Sequence, residues 1–180
     1  MGNVYFIGDL HFGHTGITAF RKEFPSEAVH IEYIKTCWNK IVSKKDLVFV
    51  MGDAAFSAHA LSQVKGLAGR KVLVRGNHDT LPTEDYLEHF EEVYGLLAYK
   101  EFWLSHAPIH PTELYGRTNI HGHCHRGGPT EIVTNSDMFR NIPVGVKAGY
   151  FNTCAEHLPT PYHPVSLIEV RDIMAKRFRE

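Results

Sequence analysis

Short apolar runs that stop abruptly and hand over to carboxylates, imidazoles or a carboxamide constrain this chain more than any other feature. Val72-Leu73-Val74 passes through Arg75 and Gly76 into Asn77-His78-Asp79. Val4-Tyr5-Phe6-Ile7 leads to Asp9 and His11, and the run from Asp46 to Met51 leads through Gly52 to Asp53. A strand expected within Leu97 to Leu104 ends at Ser105-His106, and Thr118-Asn119-Ile120 enters His121-Gly122-His123-Cys124-His125. Apolar β-branched runs bounded by glycine read as buried strands. Five strand ends therefore carry metal-type ligands, and open α/β sheets collect their ligands at such ends.

Helical patterns fill the gaps between the early strands. Pro25-Ser26 opens a helix with Ser26 as its N-cap, and Ile31, Ile34, Trp38 and Ile41 recur at helical spacing on its buried face. Cys37 beside that face reads as a packing residue. A short helix is expected over about His59 to Leu67. Another begins near Thr83, with Glu84 and Asp85 where the helix dipole favours acids. Gly66, Gly69, Arg70 and Lys71 lack the Ser/Thr and the spacing of a phosphate loop, so they read as a helix C-cap and a turn. Arg126 to about Arg140 reads as a surface loop with part of a hairpin. Ile142 to Lys147 and Val165 to Val170 read as closing strands. Early alternation of strand and helix, followed by a strand-rich second part, favours a layered α/β sandwich in one domain over residues 1–180.

Composition narrows the function classes. A formal net charge of -1 argues against a broadly basic nucleic-acid binder. Three cysteines, Cys37, Cys124 and Cys154, imply no disulfide framework. The chain passes from Met1 straight into a strand, with no export pattern. Phe6 stands where a myristoylation signal wants Ser or Thr. No segment offers the roughly 18 uninterrupted apolar residues of a membrane span. A reduced, cytoplasmic enzyme without a membrane partner is the expectation. Thirteen histidines are the compositional outlier, and they cluster near the strand ends.

The series Asp9-x-His11, Gly52-Asp53, Gly76-Asn77-His78-Asp79, His106 and Gly122-His123-x-His125 resembles the calcineurin-like metallophosphoesterase superfamily. The likeness covers residues 4 to about 125, and the ending around Val144-Gly145-Val146 and Pro164 to Leu167 is similar to a small bacterial and phage subgroup. That resemblance implies an αββα sandwich of two mixed sheets flanked by helices, with two adjacent divalent metals. It implies that Asp9, His11 and His125 bind one metal, that Asn77, His106 and His123 bind the other, and that Asp53 bridges them. A mixed imidazole and carboxylate set suits Mn, Fe, Zn or Ni, with Mn foremost. His123 and His125 flank Cys124, so on an extended segment they face the same way.

The implied chemistry is hydrolysis of a phosphodiester or phosphomonoester by a metal-bound hydroxide. His78 is the candidate general acid, with Asp79 fixing its tautomer and raising its pKa. Arg75 reads equally as a phosphate grip and as partner of a surface acid, and His14 equally as a substrate contact and as an ordinary loop histidine. His30, His59, His89, His157 and His163 read as surface or packing residues. After Gly52-Asp53 the chain continues Ala54-Ala55-Phe56-Ser57, without the acidic-Arg-Gly ending of the protein phosphatase and diadenosine tetraphosphatase branches. A small phosphate ester, with nucleotides and nucleic acid among the options, is the implied partner. A nuclease or cyclic-nucleotide phosphodiesterase is the second enzymatic reading, and a non-catalytic scaffold of the same fold is the third.

Overall fold

In the computed structural model, which describes residues 2–134 and 145–180, the early apolar runs pair side by side as parallel strands. They are β1 (Val4–Ile7), β2 (Leu47–Val50), β3 (Arg70–Val74) and β4 (Glu92–Tyr94). Tyr5 lies opposite Val48, Phe49 opposite Val72, and Leu73 opposite Val93. In this register the strands finish level with one another, so Asp9, Asp53 and Asn77 leave from one edge. The second sheet holds β5 (Leu96–Tyr99), β6 (Phe102–Ser105), β7 (Thr118–His121) and β10 (Tyr150–Asn152) in the order β10-β7-β6-β5. A two-stranded ladder, β8 (Val133–Thr134) with β9 (Lys147–Ala148), stands beside it.

The sheets meet through aromatic side chains. Phe6 of β1 packs edge-on to Phe102 of β6 at 6.4 Å, and Phe49 of β2 lies 4.7 Å from Tyr99 of β5. Both sheets mix parallel and antiparallel pairs, and helices flank them, as the αββα expectation required.

The helix α1 (Ile17–Phe20) follows the first ligand loop. The long helix α2 (Glu27–Ile41) starts where Ser26 caps it by accepting a bond from the Val29 amide. Its buried residues are His30, Ile34, Cys37 and Trp38. The buried face is thus turned by about one residue from the expected one, with His30 inside and Ile41 exposed. Trp38, common to both faces, is held inward by its indole N–H on the Ala68 carbonyl at 2.8 Å, and His30 joins it through a 2.7 Å contact with the buried Arg21 guanidinium. Helix α3 (Ala58–Leu61) runs on into a 3-10 turn over Ser62–Gly66, and α4 (Thr83–Leu87) begins after Pro82.

Four expectations are corrected or bounded here. Leu97 to Leu104 spans two strands, because the chain turns at Lys100, in left-handed backbone (φ 54°), and pairs back on itself. Val165 to Val170 is a strand only in β11 (Val165–Ser166), antiparallel to β1, and then becomes helix α5 (Leu167–Arg177). Ser166 and Glu169 form a capping box there, which satisfies the first-turn amides and starts a helix where apolar content alone suggested a strand. Half of the expected strand at Ile142 to Lys147 lies outside the described residues, as does the later part of the Arg126 to Arg140 loop; of the strand's described half, Gly145 is in a turn and only Lys147 is strand, the start of β9.

Candidate metal centre and active site

Backbone conformation marks the strand ends before any side chain is considered. Asp9 (φ 58°), His11 (φ 53°), Asp53 (φ 51°) and His123 (φ 67°) all lie in the left-handed region. An L-residue there costs about 1–2 kcal/mol, and such residues persist where surrounding structure overdetermines them, often at functional sites. Four of the seven expected ligand positions share this strain. Two glycines make room for the result. A Cβ on Gly76 would lie 2.2 Å from an Asp53 carboxylate oxygen, and one on Gly122 would lie 2.3 Å from Asp9 Oδ2.

The side chains converge in two groups. In one, His11 Nε2 lies 3.0 Å from His125 Nε2, and Asp9 Oδ1 lies 3.3 Å from His125 Nε2 and 3.7 Å from His11 Nε2. In the other, Asn77 Oδ1 lies 3.0 Å from His106 Nε2 and 2.9 Å from His123 Nδ1, and those two nitrogens are 3.2 Å apart. Asp53 Oδ2 stands between the groups, 3.7 Å from His11 Nε2 and 3.5 Å from His106 Nε2. Donors about 2.0–2.2 Å from a shared cation sit about 3 Å from each other. The spacing and chemistry of these donors therefore fit two divalent cations with Asp53 facing both. Asp9, His11, Asp53 and His106 form a buried floor, while Asn77, His78, His123 and His125 form an exposed rim.

The electrostatics agree with a cation-binding floor. Burial alone would raise the Asp9 carboxyl, but hydrogen bonds to His11 and His125 outweigh it and hold it far below the usual carboxylate range. Burial likewise opposes ionisation of Asp53, and His106 overcomes it. His106 Nδ1 meets the Met51 carbonyl at 2.8 Å, which turns Nε2 toward Asp53 and Asn77.

Two residues outside every motif complete the site. Glu156 Oε1 meets His125 Nδ1 at 2.5 Å, and its Oε2 accepts from the Arg21 guanidinium at 2.6 Å. Arg21 is buried and also donates to the Asp9 carbonyl and to His30 Nε2, both at 2.7 Å. A carboxylate on the far nitrogen of a ligating imidazole fixes its tautomer and orientation. Glu156→Gln should therefore weaken Mn²⁺ binding to the metal-free protein about 10- to 100-fold; unchanged affinity in a calorimetric titration would remove Glu156 from the site.

The same network predicts an acid-sensitive stability. Burial, then the positive charge of Arg21, pushes His30 down to about 3. An unfolded histidine takes its proton near 6.5, so this contribution is intact above that pH and is lost as pH falls from about 6.5 toward 3. Metal-free protein should lose about 2 kcal/mol between pH 7 and 5 from this source. His30→Gln should lose that part of the slope in urea titrations, and an identical slope would contradict the assignment.

The other site expectations meet the structure differently. His78 sits on the rim, its ring 4.7 Å from Phe56 in a stacked arrangement and 5.8 Å from His11, while its backbone N–H donates to Asp53 Oδ1 at 2.9 Å. Asp79 was expected on the His78 ring, and its carboxylate is elsewhere. It accepts from the backbone amides of Asp53, Gly76 and Ala54 at 2.8–2.9 Å, because these loop amides have no strand partner. It holds two ligand loops together rather than tuning an imidazole.

Arg75 is also committed away from substrate. Its guanidinium donates to the carbonyls of Asp79 and Leu81 and to Thr83, and lies over the Tyr86 ring at 5.2 Å. It braces the loop after Asn77. His14 does face the cavity, stacked on Phe56 at 4.7 Å. Burial, then the neighbouring His11 and His78, push its pKa down. His123 and His125 do not alternate along an extended strand. Tight turns, with the Cys124 and His125 amides bonded to the carbonyls two residues back, send the rings to the two neighbouring groups.

A family model for calcineurin-like phosphoesterases matches residues 2–170. The chain belongs to that family. As a calcineurin-like phosphoesterase it is 31% identical to the protein MJ1445 of Methanocaldococcus jannaschii over 156 residues, 82% of this chain and 83% of that one. It is 33% identical to the Gene 66 protein of Mycobacterium phage L5 over 84 residues, which span 44% of this chain and only 41% of the phage protein. Its fold is similar to the crystal structure of AQ665 from Aquifex aeolicus, with a TM-score of 0.68, 26% identity, and coverage of 96% of this chain and 100% of that one. The phage and archaeal relatives are consistent with the small bacterial and phage subgroup that the ending of the chain resembles. Metal-dependent phosphoester chemistry is the family's general character, and the clustered ligands here are in keeping with it. Among the described residues no helix is long and apolar enough to cross a membrane.

Proposed function

We propose that this chain is a two-metal phosphoesterase that hydrolyses a small or nucleotide-like phosphodiester or phosphomonoester. The observation that carries the reading is the position of Asp53 Oδ2 between two complete donor groups, 3.7 Å from His11 Nε2 and 3.5 Å from His106 Nε2. A pair of divalent cations, Mn²⁺ foremost and Fe, Zn or Ni as alternatives, would supply Lewis acidity and a nucleophile at neutral pH. Asp9, His11 and His125 would hold one and Asn77, His106 and His123 the other, with Asp53 shared.

The remaining steps fall to the protein's own side chains. Hydrolysis adds a water oxygen to phosphorus and breaks the bond to the ester oxygen, which takes up a proton as it leaves. His78 is exposed beside the cluster and supplies that proton at its imidazole. Phe56 stacks on its ring and sets its orientation, the part expected of Asp79. Three free thiols are in keeping with a reduced, cytoplasmic setting.

The test is a substrate panel. Protein stripped of metal and reloaded with Mn²⁺ would be given bis-p-nitrophenyl phosphate, p-nitrophenyl phosphate, cyclic nucleotides and single-stranded DNA. Hydrolysis of the small esters above the DNA supports the reading. Preference for DNA or a cyclic nucleotide would shift it to the second enzymatic class; inertness toward all four with two ions bound would point to a narrower substrate, and inertness without metal binding would favour the scaffold.

A further inference from the structure

The cavity over the metal-type cluster is larger than a phosphoryl group requires. Its volume is about 670 Å³, within the range of pockets that enclose whole drug-sized ligands. The floor includes His11 and Asp53, His123 stands on the rim, and one wall is apolar, built by Ile17, Ala19 and Phe20 at α1. Phe20 is 72% exposed. A lone exposed apolar side chain on an open surface needs no explanation, but this ring stands at the mouth of the cavity. The His14 ring follows it inward at 5.9 Å, Phe56 stacks on His14 at 4.7 Å, and His78 stacks on Phe56 at 4.7 Å. The aromatic series thus runs from solvent to the residue assigned to protonate the leaving oxygen.

Charge says what the wall does not take. Arg126 lines the cavity next to His125, but beside α1 Arg21 is spent on Glu156 and Glu23 adds a second carboxylate. A chain of further phosphates would meet acids there. An uncharged planar group would meet rings.

We propose that this wall is a subsite for a planar aromatic or heteroaromatic group carried by the phosphate ester, stacked on Phe20 while the phosphoryl group sits over Asp53. The inference rests on the phosphoesterase reading and adds the class of its organic group. Stacking of one base-like ring on an aromatic side chain is worth roughly tenfold or more in affinity.

The test uses binding rather than turnover. Mn²⁺-loaded protein is titrated with phenylphosphonate and methylphosphonate, which share one anionic head and differ in the group offered to the wall. Wild type should prefer the phenyl compound by about tenfold; Phe20→Ala should bring the preference close to one, and Phe20→Trp should keep it. Phe20 is exposed, so its truncation leaves the core untouched. Equal binding of both compounds by wild type, or a phenyl preference that survives Phe20→Ala, overturns the subsite and leaves the phosphoesterase reading standing. Binding of neither compound counts against that reading itself and takes the subsite with it.

Discussion

Asp53→Asn should lower phosphoester turnover about a thousandfold or more and leave the protein holding fewer than two ions per chain. Two divalent cations about 3.5–4 Å apart repel each other strongly, and a shared carboxylate is what offsets that repulsion. Asp53 is the one residue among the described ligands whose single oxygen faces both donor groups. Asparagine keeps the size and can keep the Oδ1 bond from the His78 amide, so the substitution removes charge with little change of shape. Elemental analysis alongside the kinetic assay separates lost metal from lost folding, provided the circular dichroism melt is unchanged. Full turnover with two ions bound would show that Asp53 does not bridge.

His78→Ala should lower kcat about 10²- to 10⁴-fold with two ions still bound. The ring is on the exposed rim, and the hydrogen bond that ties His78 to Asp53 is made by its backbone N–H, which alanine retains. The loss should depend on the ester. A leaving group as weakly basic as p-nitrophenolate needs no proton, so the variant should do best on it and worst on an alkyl ester. An equal loss on both would place His78 in substrate binding instead of proton transfer.

The convergence of the expected ligand side chains was legible in the sequence because two simple signals coincide. A β-branched run gives a strand, and a glycine after it gives room for the turn that brings Asp53 or Asn77 onto the sheet edge. Parallel pairing then aligns those edges without further instruction. What could not be read was contact between distant segments. Arg21 and Glu156 lie 135 residues apart and belong to no motif, yet one ion pair joins them behind His125. Their signal was weak: an Arg ahead of the first long helix, and a Glu just past the strand carrying Asn152.

Adjacency misled at Asp79 and left Arg75 undecided. Asp79 follows His78 directly, but the loop amides of Asp53, Ala54 and Gly76 needed an acceptor, and buried unpaired N–H groups cost more than one imidazole contact returns. Arg75 precedes Asn77, but two carbonyls and Thr83 claim its donors first. The capping box at Ser166 and Glu169 was the opposite case. It stood in the sequence as Ser-x-x-Glu and outweighed the apolar Val165 to Val170 pattern that suggested a strand.

The most direct test of the two-metal account is to titrate metal-stripped wild-type protein with Mn²⁺ while following both bound metal and hydrolysis of bis-p-nitrophenyl phosphate. The account predicts no turnover without metal, and turnover that reaches its plateau as the second ion per chain is bound. Turnover that is complete with one ion, or that persists in the stripped protein, would contradict it.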